Sequence, residues 1–346
     1  MADIRKKRHE IILRILKTIA VPVVAWLIME IITRTVVGVS VIRNSADVKT
    51  FFRNMVSTIA FALAISTNLN CGRMDLSLGA QMYAGTILGG NIALVLGWGG
   101  AGMLILAMLI GGFCGLLTGF LFVNLRILPM VLGLGMTLIF ECVCFMVNDQ
   151  QGVIIYGSSG FGILSNEAFI ITVSFALILV STYLFQLSRF GYRYRAIQGN
   201  QKLASDAGIN IFSNCVWCYL IGGMLVACAG VFITAYAGSL VPVLGMSSNT
   251  YVFKNMFPMI MGTWIGGFCY NRQIGIFMAA VSVNMLTLGL SKLGLSISVQ
   301  NMIIYILFLL FMVYNSNKDK LSYWKARAAR ISLAERTLQA LAEKGC

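Results

Sequence analysis

The sequence predicts an all-α integral membrane protein with about ten transmembrane helices. Only 11% of its 346 residues are charged and 58% are hydrophobic, whereas about a quarter of the residues in a soluble domain are charged. Three tracts hold no Lys or Arg, at residues 74–125, 127–188 and 203–253. Each has room for two or more apolar runs of about 20 residues, the length of a helix that crosses a bilayer. The alternation typical of a membrane β-barrel is absent.

The pattern divides the chain into a basic amphipathic segment (1–14), a transmembrane domain (15–314) and a basic C-terminal tail (315–346). Arg14 and Lys17 interrupt the first apolar run, and no small-residue cleavage site follows it. We therefore expect the N-terminal segment to be retained and not removed as a signal peptide.

Proline and capping residues give the expected helix starts. Pro129 and Pro258 should lie in the first turn of their helices, and Ser332 with Glu335 should begin a separate terminal helix. The predicted spans are 15–36, 54–70, 76–96, 101–123, 128–147, 167–187, 212–236, 256–270, 273–291 and 297–314.

The net charge of +14 follows membrane topology. Most Lys and Arg residues lie at the termini and in loops near 73, 126, 189–202 and 272, which predicts that both termini and these loops are cytoplasmic. The first external hairpin, residues 34–54, also carries basic residues, so a different arrangement there stays open. Because topology accounts for the charge, we do not expect nucleic acid to be a partner.

The residue types needed for catalysis or metal binding are scarce. Nine Cys lie mostly in apolar runs and the single His is His9, so we expect no disulfide framework, no metal site and no nucleophile–base pair. The chain also lacks the Gly-rich loop with Lys that cradles ATP phosphates. The sequence therefore predicts no cofactor in this chain and no enzymatic activity of its own.

A basic, polar stretch separates two long apolar runs, and we call Arg189–Asn210 the basic segment. Asn200 can cap a short helix over Gln201–Ala207, and Gly208 can end it in the left-handed conformation. One side of this helix is apolar and mostly small, at Leu203, Ala204 and Ala207. Such a helix suits docking into a groove on a second protein.

The basic segment resembles the cytoplasmic coupling loop of ribose-type permease subunits in ATP-binding-cassette importers. The acidic residues usual after the Asn are replaced by Gln201 and Lys202, so a family salt bridge is not expected here. An ordinary surface loop with a basic rim facing the membrane stays open as the alternative. The matching residues are Ala196, Ile197, Gly199, Asn200, Ala204, Gly208, Ile209 and Asn210.

A second stretch, Cys71–Gly79, resembles the G-G-I-D-L-S-V-G motif of the same family. Asp75 and Ser77 should cap the third predicted helix, and Arg73 is placed to pair with Asp75. The matching residues are Asp75, Leu76, Ser77 and Gly79. With weaker matches near 119–136, 229–245 and 261–263, the resemblance reaches from about residue 57 to 314.

The resemblance implies a bacterial inner-membrane permease for a neutral polar solute, such as ribose, galactose or a nucleoside. It implies a separate cytoplasmic ATPase that binds ATP and Mg²⁺, an extracytoplasmic solute-binding protein, and a second permease copy or homologue. The solute, and whether the dimer is homo- or heteromeric, stay open. The residues expected to contact the ATPase are Gly199, Asn200, Lys202, Leu203, Ala204, Ala207 and Gly208.

Polar residues within the spans are candidates for a translocation path because charge is costly inside a bilayer. The candidates are the polar residues Asn68, Asn70 and Glu141, together with Phe140, which adjoins Glu141. Glu141 either lines the path and accepts solute hydroxyls, or is a protonated acid that bonds a neighbouring helix. A proton-coupled secondary transporter that uses Glu141 or Glu30 is the alternative function, and a non-transporting membrane scaffold is a third.

Glycines spaced four residues apart predict close helix contacts. Gly111, Gly115 and Gly119 form such a ridge, with further pairs at Gly85/Gly89 and Gly262/Gly266. In lipid, helices associate where small residues let backbones approach. The partner helix lies either in the same chain or in another copy.

Overall fold

The computed structural model describes residues 2–158 and 160–344, and most side chains between Glu10 and Ser332. It divides into two compact units, Met1–Ser296 and Ile297–Cys346. The helices are α1 (Ala2–Val36), α2 (Ser45–Leu69), α3 (Leu78–Leu96), α4 (Gly99–Leu125), α5 (Pro129–Met146), α6 (Glu167–Thr182), α7 (Arg189–Gly199), α8 (Gln201–Asp206), α9 (Ile211–Ala237), α10 (Asn249–Cys269), α11 (Arg272–Lys292) and α12 (Ile297–Lys344).

Short elements complete the larger unit. Strands β1 (Val153–Ile154) and β2 (Ser239–Leu240) pair antiparallel. Single 3₁₀ turns occupy Asn148–Gln150 and Gly162–Ser165, and a π-helical turn, Tyr183–Leu187, continues α6. Nearly all regular structure in the described part of the chain is thus helical, as the sequence predicts.

Eight helices of the described residues are long and apolar enough to cross a membrane. Their outward faces carry large apolar side chains, such as Leu109, Phe113 and Phe120 on α4, as expected of helices in contact with lipid. The chain is an all-α integral membrane protein. The eight helices are α1 from Ile12, α2, α4, α5, α6 with its π turn, α9, α11 and α12 as far as Lys318.

The other two predicted spans correspond to α3 and α10. These helices are rich in glycine and in buried polar side chains, such as Gln81 and Thr86 on α3 and Asn255 on α10. Polar groups inside a membrane protein are tolerated where they face the protein interior. The total of ten spans and the cytoplasmic position of both termini stay predictions.

Contacts within the larger unit define two ends of the bundle. We call them the inner and the outer end, after the sides that the sequence analysis predicts for their loops. At the inner end, Gln201 Nε2 donates to the Cys71 carbonyl oxygen at 3.0 Å and Gln186 Nε2 donates to Gln273 Oε1 at 3.2 Å. These contacts confirm that the loops near 73, 189–202 and 272 share one end. At the outer end, Arg53 donates to the Ser165 carbonyl.

The glycine ridge of α4 packs against α9 of the same chain. A Cβ at Gly111 would lie 2.6 Å from the Gly223 carbonyl oxygen, and one at Gly115 would overlap the Tyr219 carbonyl. Gly119 lies against the Tyr219 side chain. The ridge therefore forms an intramolecular seam, since only residues without a Cβ permit this backbone approach.

Three predicted helix boundaries are wrong. α2 begins at Ser45 and not near residue 54. Asn44 and Asp47 form a capping box at this earlier start. α10 begins at Asn249, so Pro258 lies inside the helix and not in its first turn. α12 is unbroken from Ile297 to Lys344, so no separate helix begins at Ser332. Polar residues at the starts of α2 and α10 hide these helices from a hydropathy pattern.

The residues between β2 and α10 return into the bundle, and we call Val241–Ser248 the re-entrant segment. β2 is fixed at the outer end by its pairing with β1. The Ser248 backbone, however, packs directly against Gly79 in the first turn of α3. At 1.5 Å per residue, Gly79 lies roughly 25 Å from the outer end of that helix. α10 therefore starts inside the bundle.

Candidate functional site: the basic segment and the re-entrant segment

The basic segment forms two helices, and α8 has the boundaries that its local sequence dictates. Asn200 Oδ1 accepts from the backbone N–H groups of Lys202 and Leu203, at 3.0 and 3.2 Å. Gly208 has a φ of +79°, which favours glycine. The Ile209 N–H donates to the Ala204 carbonyl at 3.0 Å. α8 is thus a short helix closed at both ends.

The surface of α8 differs from the predicted docking face at one residue. Leu203 is 66% exposed, whereas Ala204 is only 3% exposed. Ala204 belongs to a buried cluster with Cys71, Phe185, Tyr194, Ile197 and Cys218. Ala204 thus lies on the face through which this six-residue helix rests on its own protein, and its contact with a second protein stays a prediction. Lys202 and Ala207 remain exposed.

The basic segment is joined to the membrane helices by polar and aromatic contacts. The Tyr194 hydroxyl donates to the Ser66 carbonyl at 3.0 Å, near the end of α2. The Phe185 and Tyr194 rings meet edge to face at 4.9 Å. With the bond from Gln201 to Cys71, these contacts connect α7 and α8 to α2 and to the loop that precedes α3.

That loop contains the buried Asp75. Asp75 Oδ1 accepts from the Ser77 hydroxyl at 2.6 Å and from the Ser77 N–H at 2.9 Å, and Oδ2 accepts from Gln81 at 3.3 Å. Burial raises the pKa of the Asp75 carboxyl above its ordinary value, and the hydrogen bonds oppose this effect. The cluster fixes the entry into α3, and Gly79 leaves room for the Ser248 backbone.

Two expectations about this loop are wrong. Ser77 occupies the N-cap position of α3, but its side chain accepts none of the first N–H groups and instead donates to Asp75. No ion pair among the described residues joins Arg73 to Asp75. Arg73 is buried, and its Nε and Nη2 atoms lack hydrogen-bond partners in the described part of the chain.

Glu141 holds the re-entrant segment in place. Its side chain is fully buried. Oε1 accepts from the Ser248 N–H at 2.9 Å and from the Ser248 hydroxyl at 2.6 Å, and Oε2 accepts from the Met246 N–H at 2.8 Å. The positive end of the α10 helix dipole also stabilises a carboxylate at this position. Irregular backbone at membrane depth needs such internal partners.

The four predicted path residues lie in different surroundings. Asn70 borders a cavity of about 520 Å³ at the inner end, whose wall also includes Ser66, Tyr194, Arg195 and Arg272. Phe140 and Glu141 are buried near the re-entrant segment. Asn68 is buried, and neither amide atom finds a hydrogen-bond partner among the described residues.

The sequence analysis did not identify the re-entrant segment, and it did not predict that Ala204 is buried. The re-entrant segment could have been suspected from an acid in a span, Glu141, together with Gly245 and Ser248. No local pattern, however, predicts a hydrogen bond between residues 107 positions apart. In the described part of the chain, no group of His, Cys, Asp and Glu is arranged to hold a metal ion.

Known permeases resemble the chain at modest identity. It is 24% identical to the fructose import permease of Rhizobium meliloti, over 64% of each chain. It is 29% identical to the D-allose transport system permease of Escherichia coli, over 64% of this chain and 68% of the relative. The ribose import permease of Bacillus subtilis is 26% identical, over 72% and 78%. The matched stretch thus spans slightly under two thirds of the fructose permease. No solved structure matches the chain.

The family model described as the permease component of branched-chain amino acid transport systems matches residues 50–312. This range covers α2 almost from its start and continues into α12. The chain therefore belongs to this family of membrane transport permeases.

Proposed function

We propose that the chain is the membrane subunit of an ATP-driven importer for a small neutral polar solute of the sugar class. Support comes from the family match and from relatives whose names specify import of fructose, allose and ribose. The chain would work in the bacterial inner membrane with a second copy or homologue. A solute-binding protein would deliver the solute on the outer side.

The observation that carries the proposal is the construction of the basic segment. α8 is capped at both ends, exposes Leu203 and Lys202, and rests through Ala204 on a buried cluster. A rigid, exposed helix of this kind suits a groove on a cytoplasmic ATPase, which would bind ATP and Mg²⁺. The contact residues in this proposal are Gly199, Asn200, Lys202, Leu203, Ala207 and Gly208, with Ala204 as the support beneath them.

The contacts of the basic segment suggest how ATPase motion would reach the membrane. A displacement of α8 would act on α2 through Tyr194 and Ser66, and on the loop before α3 through Gln201 and Cys71. That loop leads into Gly79, which contacts Ser248. The same displacement would therefore reach the re-entrant segment held by Glu141, a route by which α8 could alter access to the solute from either side.

Uptake into reconstituted vesicles tests the proposal. The chain would be incorporated with and without a candidate ATPase, and the solute-binding protein would be present on the outer side throughout. Uptake of labelled sugar would be measured with ATP supplied on the side that carries the ATPase. We expect uptake only with both subunits and ATP. Uptake by the chain alone that follows a proton gradient would contradict the proposal and favour the secondary transporter.

Photo-crosslinking locates the contact. A photoreactive amino acid at Leu203 should crosslink to the ATPase in the assembled complex, since this side chain is well exposed on α8. The matched control is the same amino acid at Leu96, which is also exposed but lies at the outer end of α3. Equal crosslinking at both positions, or none at Leu203 in an active complex, would refute the docking role of α8.

A further inference from the structure

A groove of about 470 Å³ lies beside the basic segment, between the end of α6, α7 and the first three turns of α9. It extends from Asn210 to Ile221, which is about 16 Å at 1.5 Å per residue. Its lining residues are Leu184, Phe190, Arg193, Asn210, Ser213, Asn214, Trp217, Leu220 and Ile221. On α9, the polar lining residues lie in the first turn and the apolar ones farther along the helix.

The polar end of the groove contains donors without acceptors. Asn214 is 4% exposed, and its Nδ2 has no hydrogen-bond partner in the described part of the chain; its Oδ1 accepts from the Cys218 thiol. Arg195, on α7, donates to Gln186 and stacks over Tyr192. Arg193, also on α7, is exposed and forms no ion pair among the described residues.

The N-terminal turn of α9 adds to this positive environment. Asn210 Oδ1 accepts from the Ser213 N–H at 2.9 Å, so the 27-residue helix begins at the groove. The positive end of a helix dipole attracts anions. The basic segment holds four basic residues against the single acid Asp206. A guanidinium, a buried amide and a helix start thus border one small volume, an arrangement complementary to a phosphate group.

The walls of the groove indicate that this phosphate is attached to an apolar chain. Leu184, Leu220 and Ile221 line the part that extends along α9. Trp217 lines the groove and is 54% exposed, and the exposed Tyr183, Tyr192 and Phe212 are each within two residues in sequence of a lining residue. Such side chains concentrate where a membrane protein meets the headgroup layer. A soluble phosphate would use none of this apolar surface.

We propose that the groove binds one anionic phospholipid of the inner leaflet. The phosphate would receive hydrogen bonds from Arg193 and Asn214 at the start of α9, and an acyl chain would lie on Leu220 and Ile221. Basic pockets between membrane helices on the cytoplasmic side are suited to anionic headgroups. Because α7 continues into α8, the bound lipid would tether the basic segment to α9. The inference does not depend on the transported solute or on an ATPase.

Native mass spectrometry of the full chain in neutral detergent tests the proposal. The protein would be titrated with phosphatidylglycerol and, separately, with phosphatidylcholine of the same acyl composition. We expect a first molecule of phosphatidylglycerol to bind at least about fivefold more tightly. Arg193→Gln should remove about this factor, since one basic residue near an anionic surface contributes about 1 kcal/mol. Arg193→Lys should retain most of the binding.

Two controls separate the site from general attraction. Arg189→Gln makes the same charge change on the same helix, but Arg189 does not line the groove, so lipid binding should be unchanged. Asn214→Leu should weaken binding, and Ser213→Ala replaces this test if the buried substitution impairs folding.

Three results would overturn the proposal: equal losses with Arg189→Gln and Arg193→Gln, equal affinity for the two lipids, or displacement of the lipid by millimolar inorganic phosphate, which would indicate a site for soluble anions.

Discussion

Glu141→Gln tests whether the re-entrant segment depends on a buried carboxylate. The carboxylate now accepts three hydrogen bonds, two at Oε1 from Ser248 and one at Oε2 from Met246. The amide has the same shape but only one acceptor oxygen. If that oxygen takes the place of Oε1, the new NH₂ group faces the Met246 N–H, and two donors oppose each other in a site without solvent exposure.

The expected cost follows from these contacts. An unsatisfied buried donor costs about 1–3 kcal/mol, and bonds to a charged acceptor contribute about 1.5–3 kcal/mol each. We therefore expect Glu141→Gln to destabilise the protein by about 2–3 kcal/mol. Ser248→Ala, which removes one of these bonds by deleting the hydroxyl donor, should cost about 1.5–3 kcal/mol.

Thermal unfolding of the purified protein, followed by size-exclusion fluorescence, measures the effect. The matched control is Glu167→Gln, because Glu167 forms a half-exposed ion pair with Lys49 and such pairs contribute about 0–1 kcal/mol. A melting temperature for Glu141→Gln equal to that of the control would refute the anchoring role. In that case the side chain of Glu141 would be free to contact a transported solute.

Three further outcomes are expected. Gly115→Ala should lower the melting temperature by the equivalent of about 2 kcal/mol or more, because the methyl group overlaps the α9 backbone. The control Gly135→Ala meets open space and should be neutral or slightly stabilising. Equal effects of the two substitutions would contradict the seam. Asn200→Ala should cost about 1 kcal/mol of α8 stability, detected as about fivefold faster hydrogen exchange across that helix; unchanged exchange would refute the cap. Lys292→Met removes a 2.6 Å ion pair with Asp47 and should cost about 1–2 kcal/mol in thermal unfolding; an unchanged melting temperature would show that the pair contributes nothing.

Much of the inner site was predictable because its determinants are local. Asn200 begins α8 and Gly208 ends it, through contacts within eight residues of sequence. Both positions have the conformation that the sequence predicts. The face of α8 was not predictable. A helix shorter than two turns has no periodic pattern, so only its packing against Tyr194 and Ile197 decides that Ala204 is buried.

The glycine ridge illustrates a partial prediction. The spacing of Gly111, Gly115 and Gly119 indicates a close contact, but its partner could have been any helix or another copy. Backbone approach to Gly223 and Tyr219 identifies α9. The polarity of α10 misled the boundary prediction near Pro258, because a helix that starts inside the bundle need not begin with an apolar run.

The sequence by itself determined that the chain is a helical membrane protein and which residues cap α8, since apolar length and caps are properties of short stretches. Only the tertiary structure showed that Glu141 accepts hydrogen bonds from Met246 and Ser248, and that Val241–Ser248 returns into the bundle. Their hydrogen bonds join residues more than 100 positions apart. Such pairs form only after the helices have packed, because the packing decides which buried donors need an acceptor.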